Sequence, residues 1–298
     1  MEFRAIEGSS FGIEVHGIDL ARDISEPTIT SLLDALYEHR VLVIKNQILD
    51  ETEYLAFGHK IGTPDPHPVD HLRLRGFPEI EAVGNTQERD RDEAVRNGAA
   101  FWHSDQCYEA NPASAIVFYA LKMPKRGGET LIADMRAAYD DLDQATKERI
   151  DGLVVQHFYS ASGGRYGETK APPIKTKDQQ DRLPPVRHYL ALPHPLTGRR
   201  SLYAVCGFTT GIEGMAEDEA GELLEMLQAH ALSPRYCYAN KHQIGDITII
   251  DQFQTLHSAV AIDFTTGSED ARLLWRLGIK NAPAVYKNDW NLQAPPSN

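Results

Sequence analysis

From position 115 onward the sequence is dominated by short apolar runs separated by turn residues. These are AIVFYAL (115–121), TLIAD (130–134), LVVQHFYS (153–160), SLYAV (201–205), DITIID (246–251) and TLHSAVAI (255–262). Short runs rich in β-branched and aromatic residues are strands, because an amphipathic helix needs a longer stretch with a 3.6-residue period. A parallel sheet would require a crossover helix after each strand, and few such segments are present. Many short strands with few helices between them build a sandwich or jelly roll, so the expected fold class is mainly β with peripheral helices.

The N-terminal third supplies the helices. GIEVHGIDL (12–20) alternates like a strand, and Ile29, Leu32, Leu33 and Leu36 follow it at helical spacing. VLVIKN (41–46) reads as a buried strand, and Asp50 with Glu53 forms a capping-box start for a helix running to about Lys60. A later helix is expected over 217–232, where Ala220, Leu223, Leu224 and Leu227 share a face. Two stretches lack periodicity: 62–100, rich in His, Pro, Asp and Arg, and 161–186, polar and rich in Pro. Both are expected to be active-site loops or insertions. No Pro/Gly/Ser linker divides the chain, so residues 1–298 are expected to form one domain.

The net charge of -13 argues against a nucleic-acid surface, which needs a field of clustered Lys and Arg. An anionic ligand would have to be held by local arginines. No membrane association is expected, since no run of about 18 apolar residues occurs. The opening MEFRAIEGSSFGIEV lacks the basic and apolar regions of a signal peptide, which points to the cytoplasm. Cys107, Cys206 and Cys237 match neither a disulfide framework nor a zinc pattern and are expected to be free thiols.

The sharpest local feature is FWHSDQCY, which places His103 and Asp105 two positions apart. In an extended segment positions i and i+2 share a side, so an imidazole and a carboxylate can converge on one cation. Such a pair alone is more often a surface hydrogen bond. His257, in another short apolar run, is the candidate second imidazole, and two His with one carboxylate leave three positions of an iron octahedron open. RLLWRLGIK then begins fifteen positions after His257. As a strand it sets Arg272, Leu274, Arg276 and Gly278 on one side and Leu273, Trp275, Leu277 and Ile279 on the other. A buried arginine is costly unless an anion meets it, and its fork suits a carboxylate. PKRGGETLIAD adds a glycine turn, after which the Thr130 hydroxyl could share that carboxylate. The residues by themselves leave two other readings open: a zinc or manganese hydrolase or isomerase on a related β-barrel, and a non-catalytic binding relative.

In order and spacing, WHSD (102–105), RGGETLIADMRAAYD (126–140), His257 and the Arg272/Arg276 pair resemble the taurine/2,4-dichlorophenoxyacetate dioxygenase family, Fe(II)/2-oxoglutarate-dependent dioxygenases. GIEVHGIDL, VLVIKNQIL and HPLTGRRSLYAV extend the likeness over nearly the whole chain. The resemblance implies a double-stranded β-helix, a cupin-like jelly roll with iron at its open end. It implies Fe(II) on His103, Asp105 and His257, and 2-oxoglutarate with its distal carboxylate on Thr130 and Arg272. Arg276 would lie near the metal-bound end of the cosubstrate or hold an acidic substrate. The implied reaction consumes dioxygen and hydroxylates a small organic, acidic substrate, releasing succinate and CO2, with cleavage of an adjacent ether or C–S bond as an extension. Aspartate at 105, rather than alanine or glycine, favours hydroxylation over halogenation. His67 resembles a residue that meets the substrate anion in the sulfonate-using branch, and Phe101 and Tyr108 could wall an apolar or aryl substrate. The chain departs from the family at Ile250–Asp251–Gln252, where many members carry Trp-Asp-Asn, and at Ala99, where the sulfonate branch carries asparagine.

Overall fold

The apolar runs become strands that pair almost entirely antiparallel. A computed structural model of the chain describes residues 1–66, 70–159, 177, 181 and 183–286. The strands are β1 (Glu2–Ala5), β2 (Ile13–His16), β3 (Val41–Ile44), β4 (Thr63–Asp65), β5 (Arg73–Leu74), β6 (Phe77–Gly84), β7 (Ala115–Lys122), β8 (Thr130–Asp134), β9 (Val154–His157), β10 (Val186–Tyr189), β11 (Ala191–Pro193), β12 (Arg200–Leu202), β13 (Thr209–Ile212), β14 (Cys237–Asn240), β15 (Ile247–Asp251), β16 (Thr255–Ala259) and β17 (Leu273–Lys280). The α-helices are α1 (Glu26–His39), α2 (Glu51–Ile61), α3 (Glu93–Arg96), α4 (Met135–Asp140), α5 (Gln144–Ile150) and α6 (Glu217–Ala231).

The large sheet runs β1-β2-β3-β15-β7-β17-β6-β5, with β4 also paired to β17. Among the described residues only β2 and β3 pair in parallel, across the connection that contains α1. A second sheet has the order β14-β8-β16. The two share a core in which Val43, Phe118, Ile250 and Leu274 of the large sheet pack with Ile132 of β8. The opposite face of the large sheet, including Val117, Ile249, Trp275 and Leu277, buries against Ile29, Leu33, Tyr54 and Phe57 of α1 and α2. β17 thus divides its side chains between two cores as its alternation dictates. Burying a Leu or Ile side chain stabilises the fold by roughly 1.5–3 kcal/mol, which is why α1 and α2 lie flat on this sheet. α2 starts where expected: Asp50 accepts from the Glu53 N–H at 2.8 Å, and Glu53 accepts from the Asp50 N–H at 2.9 Å. α6 packs Leu223, Leu224 and Leu227 with Leu202, Val155 and Ile212 in a third cluster beside the second sheet.

The expectation of a loop over 62–100 is corrected by β6, an eight-residue strand between β17 and β5. Its sequence, FPEIEAVG, hides the strand because Pro78 and Glu81 break the apolar pattern, and pairing with β17 overrides that local signal. Of 161–186, nearly all lies outside the described residues. The three cysteines are free; Cys107 and Cys206 bring their sulfurs to 3.8 Å. Among the described residues no helix is long and apolar enough to cross a membrane.

Two core histidines make stability acid-sensitive. Burial, reinforced by His188, pushes the His157 imidazole down to about 3, and burial pushes His188 down to about 4. The unfolded chain binds these protons near pH 6.5 and the folded chain does not, so stability is full above that value and falls as pH drops toward 4. Each contributes a slope of about 1.4 kcal/mol per pH unit in that window. The urea midpoint is therefore expected to decline steeply between pH 6.5 and 4.5, less so in His157→Gln; an identical decline in that variant would clear His157 of the effect.

Candidate metal centre

His257 sits in β16 and forms an isolated antiparallel bridge with His103. The His103 N–H donates to the His257 carbonyl at 2.9 Å, and the His257 N–H donates back at 2.8 Å. Directly opposed residues of an antiparallel pair project to the same side, so the two rings lie together with centroids 4.3 Å apart. The segment after His103 is not the regular strand its spacing suggests: a turn begins at Asp105, and Gln106 has φ 56°. That turn swings the carboxylate over the imidazoles. Asp105 Oδ1 is 3.5 Å from His103 Nε2 and Oδ2 is 3.7 Å from His257 Nε2. One ligand atom from each of the three residues lies within 4.8 Å of the others, a group that could hold a metal ion. Two imidazoles and a carboxylate are the donor set of a 2-His-1-carboxylate site.

The surroundings fix this geometry. His103 Nδ1–H donates to the Phe101 carbonyl at 2.7 Å, which orients the ring so that Nε2 faces Asp105. The Asp105 N–H donates to Gln252 Oε1 at 2.7 Å, and Ser104 Oγ donates to the Gln252 carbonyl at 2.9 Å. Gln252, one of the departures from the family pattern, is thus the residue that pins the carboxylate's backbone. Burial disfavours a charged Asp105, but Arg276 and His103 outweigh it and hold the carboxyl well below its usual range. Burial likewise pulls His103 down, and Asp105 overcomes it to give a net rise. Burial and the His103 charge push His257 down to about 3.

A cleft open to solvent contains the triad together with Thr130, Arg272, Arg276, Phe101 and Tyr108. Arg272 is 3% exposed, yet among the described residues its guanidinium makes one hydrogen bond, from Nε to the Gly128 carbonyl at 3.2 Å, and has no carboxylate at ion-pair distance. Burial pushes it down to about 10 against the opposing charge of Glu129, so it remains a cation at neutral pH. Its backbone is clamped from β6. The Arg272 N–H donates to Asn85 Oδ1 at 2.8 Å, and a Cβ on Gly84 would meet the Arg272 carbonyl at 2.5 Å, so only glycine allows this approach. A buried cation with no carboxylate at ion-pair distance is costly to the ligand-free fold.

Arg276 is arranged differently. Its Nη1 donates to Glu81 at 2.8 Å and its Nη2 lies 2.8 Å from Asp105 Oδ2, so both edges face carboxylates. Sequence reasoning had no signal for Glu81, Asn85 or Arg96, all in the stretch read as loop. Glu81 and Arg96 line the cleft, as does Ala99. Arg96 Nε donates to the Ile262 carbonyl at 2.8 Å and Nη1 to the Asp90 carbonyl at 2.7 Å, and no carboxylate pairs with it among the described residues. Phe101 stacks on His103 with centroids 4.8 Å apart, and Tyr108 packs edge-on against Phe208. His67 lies outside the described residues.

A His-Asp-His group set against antiparallel strands and beside a buried arginine has the donor set of a metal-dependent oxygenase site. Comparison with known proteins agrees. Residues 2–277 match the family model described as "Taurine catabolism dioxygenase TauD, TfdA family". The chain is 28% identical over 266 residues to an alpha-ketoglutarate-dependent 2,4-dichlorophenoxyacetate dioxygenase of Burkholderia sp. (strain RASC), a match covering 86% of this chain and 88% of that one. It is 31% identical over 282 residues to pentalenolactone F synthase of Streptomyces arenae, covering 88% and 91% of the two chains. The crystal structure of AAD-2 in complex with Mn(II) and N-oxalylglycine aligns with a TM-score of 0.76 at 26% identity, over 94% of this chain and 98% of that one. The chain belongs to the TauD/TfdA family. It is a 2-oxoglutarate-dependent dioxygenase, and its cofactor and cosubstrate are Fe(II) and 2-oxoglutarate (alpha-ketoglutarate).

Proposed function

We propose that this enzyme, a single cupin-like jelly roll working in the cytoplasm, hydroxylates a small organic acid. His103, Asp105 and His257 would hold the iron, and Arg272 with Thr130 would hold the far carboxylate of 2-oxoglutarate. The observation that carries this reading is the buried Arg272 guanidinium, which has no carboxylate at ion-pair distance among the described residues and opens on the same cleft as the triad. A zinc or manganese hydrolase using the same three ligands has no need of that cation. When bound, iron and 2-oxoglutarate supply the oxidising chemistry: dioxygen delivers one oxygen atom to a substrate C–H bond and the other to succinate, with loss of CO2. A hydroxyl placed on a carbon bearing an ether oxygen or sulfur lets that carbon expel its neighbour, the outcome open to an aryloxy acid such as the substrate named for the Burkholderia relative.

The charges of the cleft favour an anionic substrate. Arg276 faces Glu81 and Asp105, and Arg272, which feels the Glu129 charge, faces the place of the 2-oxoglutarate carboxylate. Arg96 lines the cleft with carbonyl partners and no carboxylate within ion-pair distance among the described residues. A carboxylate or sulfonate on an apolar body neutralises it, while Phe101, Tyr108 and Phe208 offer apolar surface for that body. The test is a panel of small carboxylates and sulfonates screened for stimulated release of CO2 from 2-oxoglutarate. Arg96→Gln is expected to raise the KM of the stimulating acid roughly tenfold and to leave its neutral amide unaffected. Equal stimulation by acid and amide in the wild type would overturn the acidic-substrate reading.

A further inference from the structure

The Thr130 hydroxyl is held from behind. Thr130 Oγ1 lies 2.9 Å from Nε2 of His242, a residue in the connection between β14 and β15. On the other side of the ring, Nδ1 is 3.3 Å from Asn240 Nδ2 and 3.3 Å from Thr248 Oγ1. All four residues are buried, with Thr130 alone among them lining the cleft. Burial, together with the charges of Arg272 and Lys45, pushes the His242 imidazole down to about 3, so the ring is neutral and carries one proton. An amide nitrogen only donates, and its position against Nδ1 makes that atom the acceptor. The single ring proton is therefore on Nε2, pointing at Thr130. With its oxygen already accepting, Thr130 has its own proton free for another partner, and the open direction is the cleft it shares with Arg272.

We propose that His242 is a positioning residue for the cosubstrate: by donating to Thr130 Oγ1 it sets the hydroxyl as a donor, so that Thr130 and Arg272 offer only O–H and N–H groups to a carboxylate. This rests on the reading that Thr130 and Arg272 receive the far end of 2-oxoglutarate. Without His242, the hydroxyl can turn a lone pair toward that carboxylate, and one charge-assisted bond is lost.

The experiment measures the dissociation constant of 2-oxoglutarate calorimetrically, with Mn(II) in place of iron and without dioxygen, alongside steady-state kinetics of the iron enzyme. His242→Phe is expected to loosen 2-oxoglutarate roughly tenfold and raise its KM in parallel, with kcat at saturation nearly unchanged. His242→Gln, whose amide nitrogen can replace the Nε2–H donor, restores most of the affinity. On a Thr130→Val background His242→Phe adds no further loss, because both substitutions remove one coupled bond. Unchanged affinity in His242→Phe, or losses that simply add, overturns the proposal. Should His242→Phe fail to fold, Asn240→Asp reverses the relay: a carboxylate draws the ring proton to Nδ1, Nε2 becomes an acceptor, and Thr130 turns its proton to the ring. A comparable loss is expected there, and no loss overturns the inference. A wild type that does not bind 2-oxoglutarate overturns the cosubstrate reading underneath instead.

Discussion

Asp105→Ala is expected to lower substrate-dependent turnover on the order of a thousandfold or more, and to leave the purified protein without stoichiometric iron. The carboxylate has two tasks. It faces both imidazoles, at 3.5 and 3.7 Å, and it neutralises Arg276 at 2.8 Å. Alanine removes a donor and also leaves the site one charge more positive, so a divalent cation meets two neutral rings beside a guanidinium that only Glu81 still balances. Breaking a buried charge pair from one side costs about 3–5 kcal/mol, equivalent to two to four powers of ten in a rate or affinity. Asp105→Asn separates charge from shape, since it keeps the volume and the backbone bond to Gln252 while losing the anion. It is expected to fail with the alanine variant. Metal content after gel filtration and 2-oxoglutarate decarboxylation report the loss, and a single cooperative melting transition, lowered by the unpairing of Arg276, shows that the fold persists. Undiminished turnover in either variant would remove Asp105 from the metal site.

How much of this site could be read from sequence follows from the range of each interaction. His103 and Asp105 are legible because two residues two positions apart declare themselves locally. Arg272 and Arg276 are legible because a strand's period of two puts them on one side of an otherwise apolar run. Thr130 follows a glycine turn in a recognisable family segment. The expected helices α1, α2 and α6 and the strands of the two sheets come from periodicity and capping signals that likewise act within one element. What escaped is made by pairing between elements distant in the chain. β6 carries a proline and two glutamates, and its strand character is imposed by β17, nearly two hundred residues later. With β6 went Glu81, which balances Arg276, and its neighbour Asn85, which clamps Arg272. His242 had no local mark at all: a histidine in a polar connection gives no sign that it will be buried against Thr130. Gln252 stood out only as a departure from the family pattern, and its role emerged from the bond its amide oxygen makes with the Asp105 backbone.

Arg272→Gln is expected to move function and stability in opposite directions. The guanidinium is buried, has no carboxylate at ion-pair distance among the described residues and keeps its proton at neutral pH, so the ligand-free protein bears a desolvation cost that the Glu129 charge offsets only in part. Glutamine removes the charge at some loss of packing and of the Nε bond to the Gly128 carbonyl. The ligand-free variant should therefore melt at or above the wild-type temperature. Binding pays the opposite way, because a forked cation on a carboxylate is among the stronger polar contacts, and its loss of about 2–3 kcal/mol corresponds to a roughly hundredfold higher KM for 2-oxoglutarate. The rise in melting temperature that added 2-oxoglutarate produces in the wild type should shrink to the same extent, since stabilisation by a ligand follows its affinity. The pairing of signs is what discriminates: a residue kept for structure would destabilise the ligand-free protein when replaced, whereas one kept for a dianionic cosubstrate weakens binding alone. A drop in the ligand-free melting temperature with unchanged 2-oxoglutarate affinity would assign Arg272 to the architecture of β17 and deprive the cleft of its anion clamp.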